Sequence, residues 1–330
     1  MEEPLVSIII PVYNRATILK GTIDSIIAQT YKSFECIVID DGSTDETFAE
    51  LLKFQELDAR IKPFKRPKNK LKGGNACRNY GFEMSKGTYI VWFDSDDLMH
   101  ENYLESQVTA LKNSKSNFCV CNSTWKTMTG RIKEGFRSSK IKSNDVINDY
   151  IQFIIFWHIN AVCYKSEFLK NHSLQFDETL QQSQEYDFHV RVLRIDKNYK
   201  IVEQHLVTII ASENSISYSD NNIYKKTVSS LKVKKRFLSY SQENVLKLQT
   251  KKFLLTDIHN VFQQQTMKKN TRISIYSAYA YLSAHLTDKK IFKNYFFKHL
   301  IPVLTITIAY NLFGIGYKLF KKSNTFNYVK

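Results

Sequence analysis

At 330 residues the chain is long enough for one large domain plus an appendage, and a hydrophobic fraction of 43% excludes an intrinsically disordered polymer. The net charge of +15 is unevenly placed: residues 222–330 carry +17 and residues 1–221 carry −2. A near-neutral domain over 1–221 is therefore expected, followed by a basic region over 222–330 that seeks an anionic surface. The five cysteines, Cys36, Cys77, Cys119, Cys121 and Cys163, are odd in number and widely spaced, which points to reduced, buried thiols. Cys119 and Cys121 alternate along a strand, too close for a zinc ribbon. The reduced thiols point to the cytosol, so a cytoplasmic location is expected; the opening Met-Glu-Glu-Pro-Leu-Val-Ser lacks the basic start and apolar run of a signal peptide.

Val6 to Val12 is a continuous apolar run closed by Tyr13-Asn14-Arg15, the pattern of a buried strand. Ala16 to Gln29 has helical spacing through Ile18, Leu19, Ile23, Ile26 and Ile27. Phe34 to Ile39 is a second buried strand ending in Asp40-Asp41-Gly42, followed by a helix over Thr47 to Leu57 and a short strand over Ile61 to Lys65. Gly73-Gly74-Asn75 opens a helix through Met84, and Tyr89 to Phe93 is the next strand. This alternation predicts an α/β fold with a mostly parallel, Rossmann-like sheet and helices on both faces. Ligands of such sheets lie beyond the carboxyl ends of the strands, where Tyr13-Asn14, Asp40-Asp41 and Asp94 to Asp97 fall. Asn117 to Thr124, Ala161 to Tyr164 and Ile201 to Ile210 read as further strands, and Gln182 to Leu193 as a helix. Beyond Ser219 the pattern turns helical, over Asn222 to Tyr240, Asn244 to Gln265 and Arg272 to Leu286.

The chemistry concentrates at four places. Asp94, Asp96 and Asp97 crowd the end of an apolar strand, where they repel one another unless a cation sits among them. Mg²⁺ or Mn²⁺ suits oxygen ligands and bridges carboxylates to phosphates; a solvated turn capping the next helix is the plainer alternative. A carboxylate of the Asp40-Asp41 pair could accept a hydrogen bond from a uracil N3–H, although Asp-Gly-Ser-Thr also makes an ordinary turn. Arg78 offers paired donors to a nucleotide or its phosphates, or is a surface ion-pair partner. Glu185 opens a helix whose macrodipole stabilises the anion, which suits a base, or merely complements that dipole.

Together these segments resemble the family 2 glycosyltransferases of GT-A fold. Val6 to Arg15 resembles their opening strand, and Ile37 to Asp45 their nucleotide-binding turn. Ala76-Cys77-Arg78-Asn79-Tyr80-Gly81 resembles their Ala-Arg-Asn-x-Gly segment, and Phe93 to Asp97 their DxD-type motif. The resemblance covers about residues 5 to 215. It implies a nucleotide-sugar donor, expected to be a UDP-sugar, held by Pro11, Tyr13, Asn14, Asp40, Asp41, Arg78, Asp94, Ser95 and Asp96. It further implies a metal on Asp94, Asp96 and Asp97, and inversion at the anomeric carbon. Aligning on Tyr186, Asp187 and Arg191 puts Gln184-Glu185 on the family's Glu-Asp pair, so Glu185 takes the base position and Asp187 is the competing candidate.

Trp157, His158 and Asn160 are candidates to contact the acceptor, expected to be a glycan or a polyprenyl-linked glycan of cell-surface polysaccharide synthesis. Leu300 to Tyr317 carries no charge and is flanked by lysines, so the 300–320 region is expected to associate with a membrane as an interfacial helix, with burial against the catalytic domain and a true span as the alternatives. An anionic inner-membrane surface on the cytoplasmic side fits the basic tail. A nucleotidyltransferase is the alternative enzyme. A nucleic-acid binder would leave the acidic strand ends without a role, so no nucleic-acid partner is expected.

Overall fold

The computed structural model describes residues 3–112, 114–127, 129, 140–211, 222–243, 245–268, 271–286 and 305. In chain order the elements are β1 (Val6–Val12), α1 (Leu19–Ile27), β2 (Phe34–Asp40), α2 (Thr47–Leu57), β3 (Ile61–Lys65), α3 (Gly74–Met84) and β4 (Tyr89–Trp92). There follow β5 (Leu98–Met99), α4 (Tyr103–Lys112), β6 (Phe118–Thr127), α5 (Val146–Ile151), a 3-10 turn (Ile159–Ala161), β7 (Val162–Lys165), α6 (Ser166–Asn171), α7 (Gln184–Ile195) and β8 (Lys200–Ala211). Three longer helices follow among the described residues: α8 (Ile223–Ser239), α9 (Leu248–Met267) and α10 (Thr271–Leu286).

Two compact units divide the chain. The first comprises Met1–Thr179 and Gln184–Ser219; the second comprises Leu180–Ser183 and Asp220–Lys330. The first unit is built on an eight-stranded sheet of order β3-β2-β1-β4-β7-β6-β8-β5. Its first four strands are parallel, as apolar runs separated by helices require. The other half is mixed: β7 runs antiparallel to both β4 and β6, while β6 and β8 are parallel. The expected mostly parallel sheet is found: β1 to β4 and the β6–β8 pair are parallel, and the antiparallel pairings are those of β7 and β5. Four-residue β7 enters from the adjoining 3-10 turn rather than from a crossover helix, which reverses its direction.

Trp92 fixes the centre of this unit. Its ring meets Phe82, Tyr164, Phe176 and Phe188 edge-on at centroid distances of 5.9, 5.5, 5.1 and 5.2 Å. Edge-to-face rings add directional attraction to their buried area, so α3, β7 and α7 are located against β4 just below Asp94. All five cysteines are buried and unbridged, as their spacing suggested.

The described residues of the second unit are mainly helical. Phe262 stacks on Tyr281 at 5.9 Å, joining α9 to α10, and Lys234 of α8 pairs with Asp257 of α9 at 2.6 Å. Among the described residues no helix is long and apolar enough to cross a membrane, and the 300–320 region lies outside them apart from Thr305.

Candidate active site

Sheet register gathers the polar punctuation at one edge. Val12 pairs with Asp40 and Asp40 with Lys65, while Phe93 N–H reaches Ile9 O at 2.9 Å. The segments leaving β1, β2, β3 and β4 therefore emerge side by side. Asn14, in the left-handed region at φ 50°, ties the first two together: its N–H donates to Ser43 Oγ at 2.9 Å and its Oδ1 accepts Thr44 N–H at 2.8 Å. Tyr13 is 40% exposed beneath the Lys72 ammonium, and Pro11 lies beside Gly74 at the start of α3.

The Asp40-Asp41 pair divides its work. Asp40 accepts the N–H groups of Gly42 and Ser43, each at 3.1 Å, and so shapes the turn. Gly42 at φ +83° supplies the left-handed conformation that closes it. Asp41 instead meets Arg66, whose Nε–H donates to Oδ1.

Three arginine–aspartate pairs result. Besides Arg66 with Asp41, Arg78 Nη2 lies 2.6 Å from Asp94 Oδ1 and Arg15 Nη2 lies 3.3 Å from Asp96 Oδ2. Arg78 has a buried Nε with no partner among the described residues. Arg15 and Arg66 were missed from the sequence; the legible signal was only that each directly follows the polar end of an apolar strand. Burial, then the neighbouring Asp94, pushes the Asp96 carboxyl above the usual range, with Arg15 opposing. Burial, then Asp94 and Asp96, pushes Asp97 well above it.

Asp97 differs from the other two carboxylates. Asp94 and Asp96 side chains are 35% and 26% exposed, while Asp97 is buried with a donor on each oxygen, Ile210 N–H and Asn160 Nδ2. Ser95 is buried between them. Among the described residues, no group of three His, Cys, Asp or Glu side chains is placed to hold an ion by itself. Two partly exposed carboxylates remain, a hard-oxygen set that suits Mg²⁺ or Mn²⁺ once phosphate oxygens complete it.

The second carboxylate group stands at the start of α7. Glu185 is 24% exposed; its Oε2 accepts Ile159 N–H at 3.0 Å and its Oε1 lies 3.5 Å from His158 Nδ1. Asp187 is fully buried and accepts Arg191 Nε–H at 2.8 Å. The three acceptor candidates separate. Trp157 and Asn160 are 3% and 1% exposed, the first packed against Tyr150 and Tyr199 and the second bonded to Asp97. Both face the interior. His158, between the Trp125 and Phe156 rings, keeps a 17% exposed side chain.

A parallel-strand edge bearing paired carboxylates, arginines and a separate helix-borne carboxylate defines a GT-A glycosyltransferase architecture. The chain belongs to glycosyl transferase family 2. That family's model matches residues 7–170. An uncharacterized glycosyltransferase of Rickettsia typhi is 30% identical over 297 residues, covering 88% of this chain and 86% of the relative. One from Methanocaldococcus jannaschii is 31% identical over 212 residues, covering 63% and 71%. Another, from Rickettsia bellii, is 33% identical over 200 residues, and there the match spans only 28% of the relative's length. Among solved structures, S. aureus TarS 1-349 in complex with UDP-GlcNAc superposes with a TM-score of 0.70 at 17% identity, over 97% of this chain and 89% of that one. The mannosyltransferase PcManGT from Pyrobaculum calidifontis, in complex with GDP-Man and Mn²⁺, gives 0.51 at 14% identity, over 99% and 84%. At such identities these structures establish the fold alone.

Proposed function

We propose that this glycosyltransferase moves a sugar from a UDP-sugar to a hydroxyl of a glycan or polyprenyl-linked acceptor in cell-surface polysaccharide synthesis, with inversion. The observation that carries the reading is the placement of Asp41, Asp94 and Asp96, each with an arginine, at one end of four parallel strands. Asp41 is set to accept the base N3–H, and Arg78 and Arg15 face the side where a diphosphate's charge must be balanced. Asp94 and Asp96 would hold Mg²⁺ or Mn²⁺, which supplies positive charge against the departing diphosphate. Glu185 takes the proton from the acceptor hydroxyl as its oxygen bonds to the anomeric carbon and the carbon–diphosphate bond breaks. Asp187, closed off by Arg191, serves the helix rather than the proton. One base suffices for such a displacement, in contrast to the flanking carboxylates of a glycosidase.

The donor and metal named here draw support from the complexes of TarS with UDP-GlcNAc and of PcManGT with GDP-Man and Mn²⁺. The +17 charge of residues 222–330 supports residence on an anionic membrane surface at its cytoplasmic face. Calorimetry with Mn²⁺ and a panel of UDP-, GDP- and dTDP-sugars, followed by product analysis, tests the proposal. A UDP-sugar should bind and release UDP. Absence of heat from every donor, or release of diphosphate from a nucleoside triphosphate, would overturn it.

A further inference from the structure

Three consecutive residues join the two carboxylate groups of the site. His158 Nδ1 stands 3.5 Å from Glu185 Oε1, Ile159 N–H donates to Glu185 Oε2 at 3.0 Å, and Asn160 Nδ2 donates to Asp97 Oδ2 at 2.5 Å. They sit at the start of a 3-10 turn, a tight conformation that leaves little room for their spacing to vary. Asp97 is in turn fastened to two other elements. Its Oδ1 accepts Ile210 N–H from β8 at 2.9 Å, and its backbone oxygen accepts Thr22 Oγ–H from α1 at 2.9 Å.

We infer that the His158–Ile159–Asn160 turn is a spacer setting Glu185 at a fixed distance from the acidic end of β4, with Asp97 and Asn160 as positioning residues. On this assignment Asp97 ligates no cation and Asn160 touches no acceptor. Three observations require it. Both Asp97 oxygens already receive a protein donor, while Asp94 and Asp96 remain partly exposed. Asn160 is 1% exposed and its Nδ2 is committed to Asp97, its buried Oδ1 having no partner among the described residues. The neighbouring N–H, one residue back, is the one that orients Glu185. A displacement of the turn therefore moves the base relative to Asp94 and Asp96, and small misplacements of reacting groups are costly in rate. The role assigned to the turn rests on Glu185 being the base.

The test exchanges the two side chains. Asp97→Asn sets an amide against the Asn160 amide, and Asn160→Asp sets two carboxylates face to face. The double variant restores one amide–carboxylate bond and keeps an oxygen for Ile210 N–H. Each single variant should lose thermal stability, bind Mn²⁺ with UDP more weakly and hydrolyse the donor found by the panel about 10- to 100-fold more slowly. The double variant should regain all three, with an unchanged Mn²⁺ half-saturation. A double variant that regains stability while its Mn²⁺ half-saturation stays raised would make Asp97 a ligand and overturn the inference. Asn160→Ala supplies a second arm, read as donor hydrolysis by water with no glycan present. Slowed hydrolysis supports positioning, and hydrolysis at the wild-type rate would overturn it. Failure of the base reading looks different: Glu185→Gln would turn over normally whatever the exchange variants do.

Discussion

Arg66 donates its Nε–H to Asp41 Oδ1 at 2.5 Å, and the two side chains are only 12% and 8% exposed. The same guanidinium donates to the carbonyls of Pro67 and Lys70, so one residue fastens the loop after β3 to the turn after β2. Arg66→Met would strand the Asp41 carboxylate, and losing one partner of a buried pair costs about 3–5 kcal/mol. Urea unfolding should register that loss, and UDP affinity should fall with it. Arg66→Lys should recover little, since an ammonium cannot bond Asp41 and two carbonyls in the same fork. Unchanged stability in Arg66→Met would show that Asp41 holds its place without the pair.

Glu185 is oriented by the Ile159 N–H and remains 24% exposed. Glu185→Gln keeps an oxygen for that N–H and removes only the capacity to accept a proton. Turnover should fall by about 10²- to 10⁴-fold, the usual yield of general base catalysis. Calorimetry with Mn²⁺ and UDP should give an affinity close to that of the wild type. Asp187→Asn should behave differently, losing stability through Arg191 before it loses chemistry.

Much of this arrangement is legible in the sequence, and the boundary of legibility has a physical cause. Val6–Val12, Phe34–Asp40 and Tyr89–Trp92 announce themselves because strands buried on both faces are largely apolar, the exceptions Ser7 and Glu35 bonding each other inside the sheet. The position of Asp94 to Asp97 follows directly. Arg15 and Arg66 are not legible, because an arginine is ordinarily a surface residue and only sheet register brings these two to Asp96 and Asp41. The antiparallel β7 is equally hidden: its pairing of Cys163 with Cys119 is decided by tertiary contacts 44 positions apart in the sequence. Trp157 and Asn160 stand out in the sequence for their chemistry, but a polar or aromatic side chain does not reveal whether its partner is a ligand or the protein's own interior.

His189, one helical turn after Glu185, gives a pH signature. Its Nδ1 bonds the Tyr150 hydroxyl at 2.7 Å, and burial lowers its pKa to about 3; Glu185 pulls the other way and His158 adds to the lowering. The folded state thus keeps this imidazole neutral where the unfolded chain, with an ordinary value of 6.5, takes up a proton. The unfolded state binds more protons throughout that window, so stability falls as pH drops below 6.5 towards 3. Between pH 7.5 and 5 the wild type should lose about 2 kcal/mol more than His189→Gln, which cannot titrate. Paired urea titrations at the two pH values measure the difference, and parallel losses would show that another group carries the dependence.

Gly81 explains why the segment bearing Arg78 ends in glycine. A Cβ there would stand 2.4 Å from Ile9 Cγ2 on β1 and 3.4 Å from Ile39 Cγ1 on β2. Both isoleucines are fully buried, so neither can swing aside. The absence of a side chain lets α3 lie directly on the sheet, one turn after the residue that pairs with Asp94. In an isolated helix Gly→Ala would gain about 1 kcal/mol. Here the clash should reverse the sign and cost about 1–3 kcal/mol, the usual penalty of overpacking. Lifting α3 should also draw Arg78 from Asp94 and weaken binding of Mn²⁺ with UDP. Ile9→Ala removes the obstructing methyl, so Gly81→Ala combined with Ile9→Ala should be more stable than the sum of the single losses. That positive coupling, measured as a double-mutant cycle in urea, would locate the constraint at this one contact; strictly additive losses would place it elsewhere.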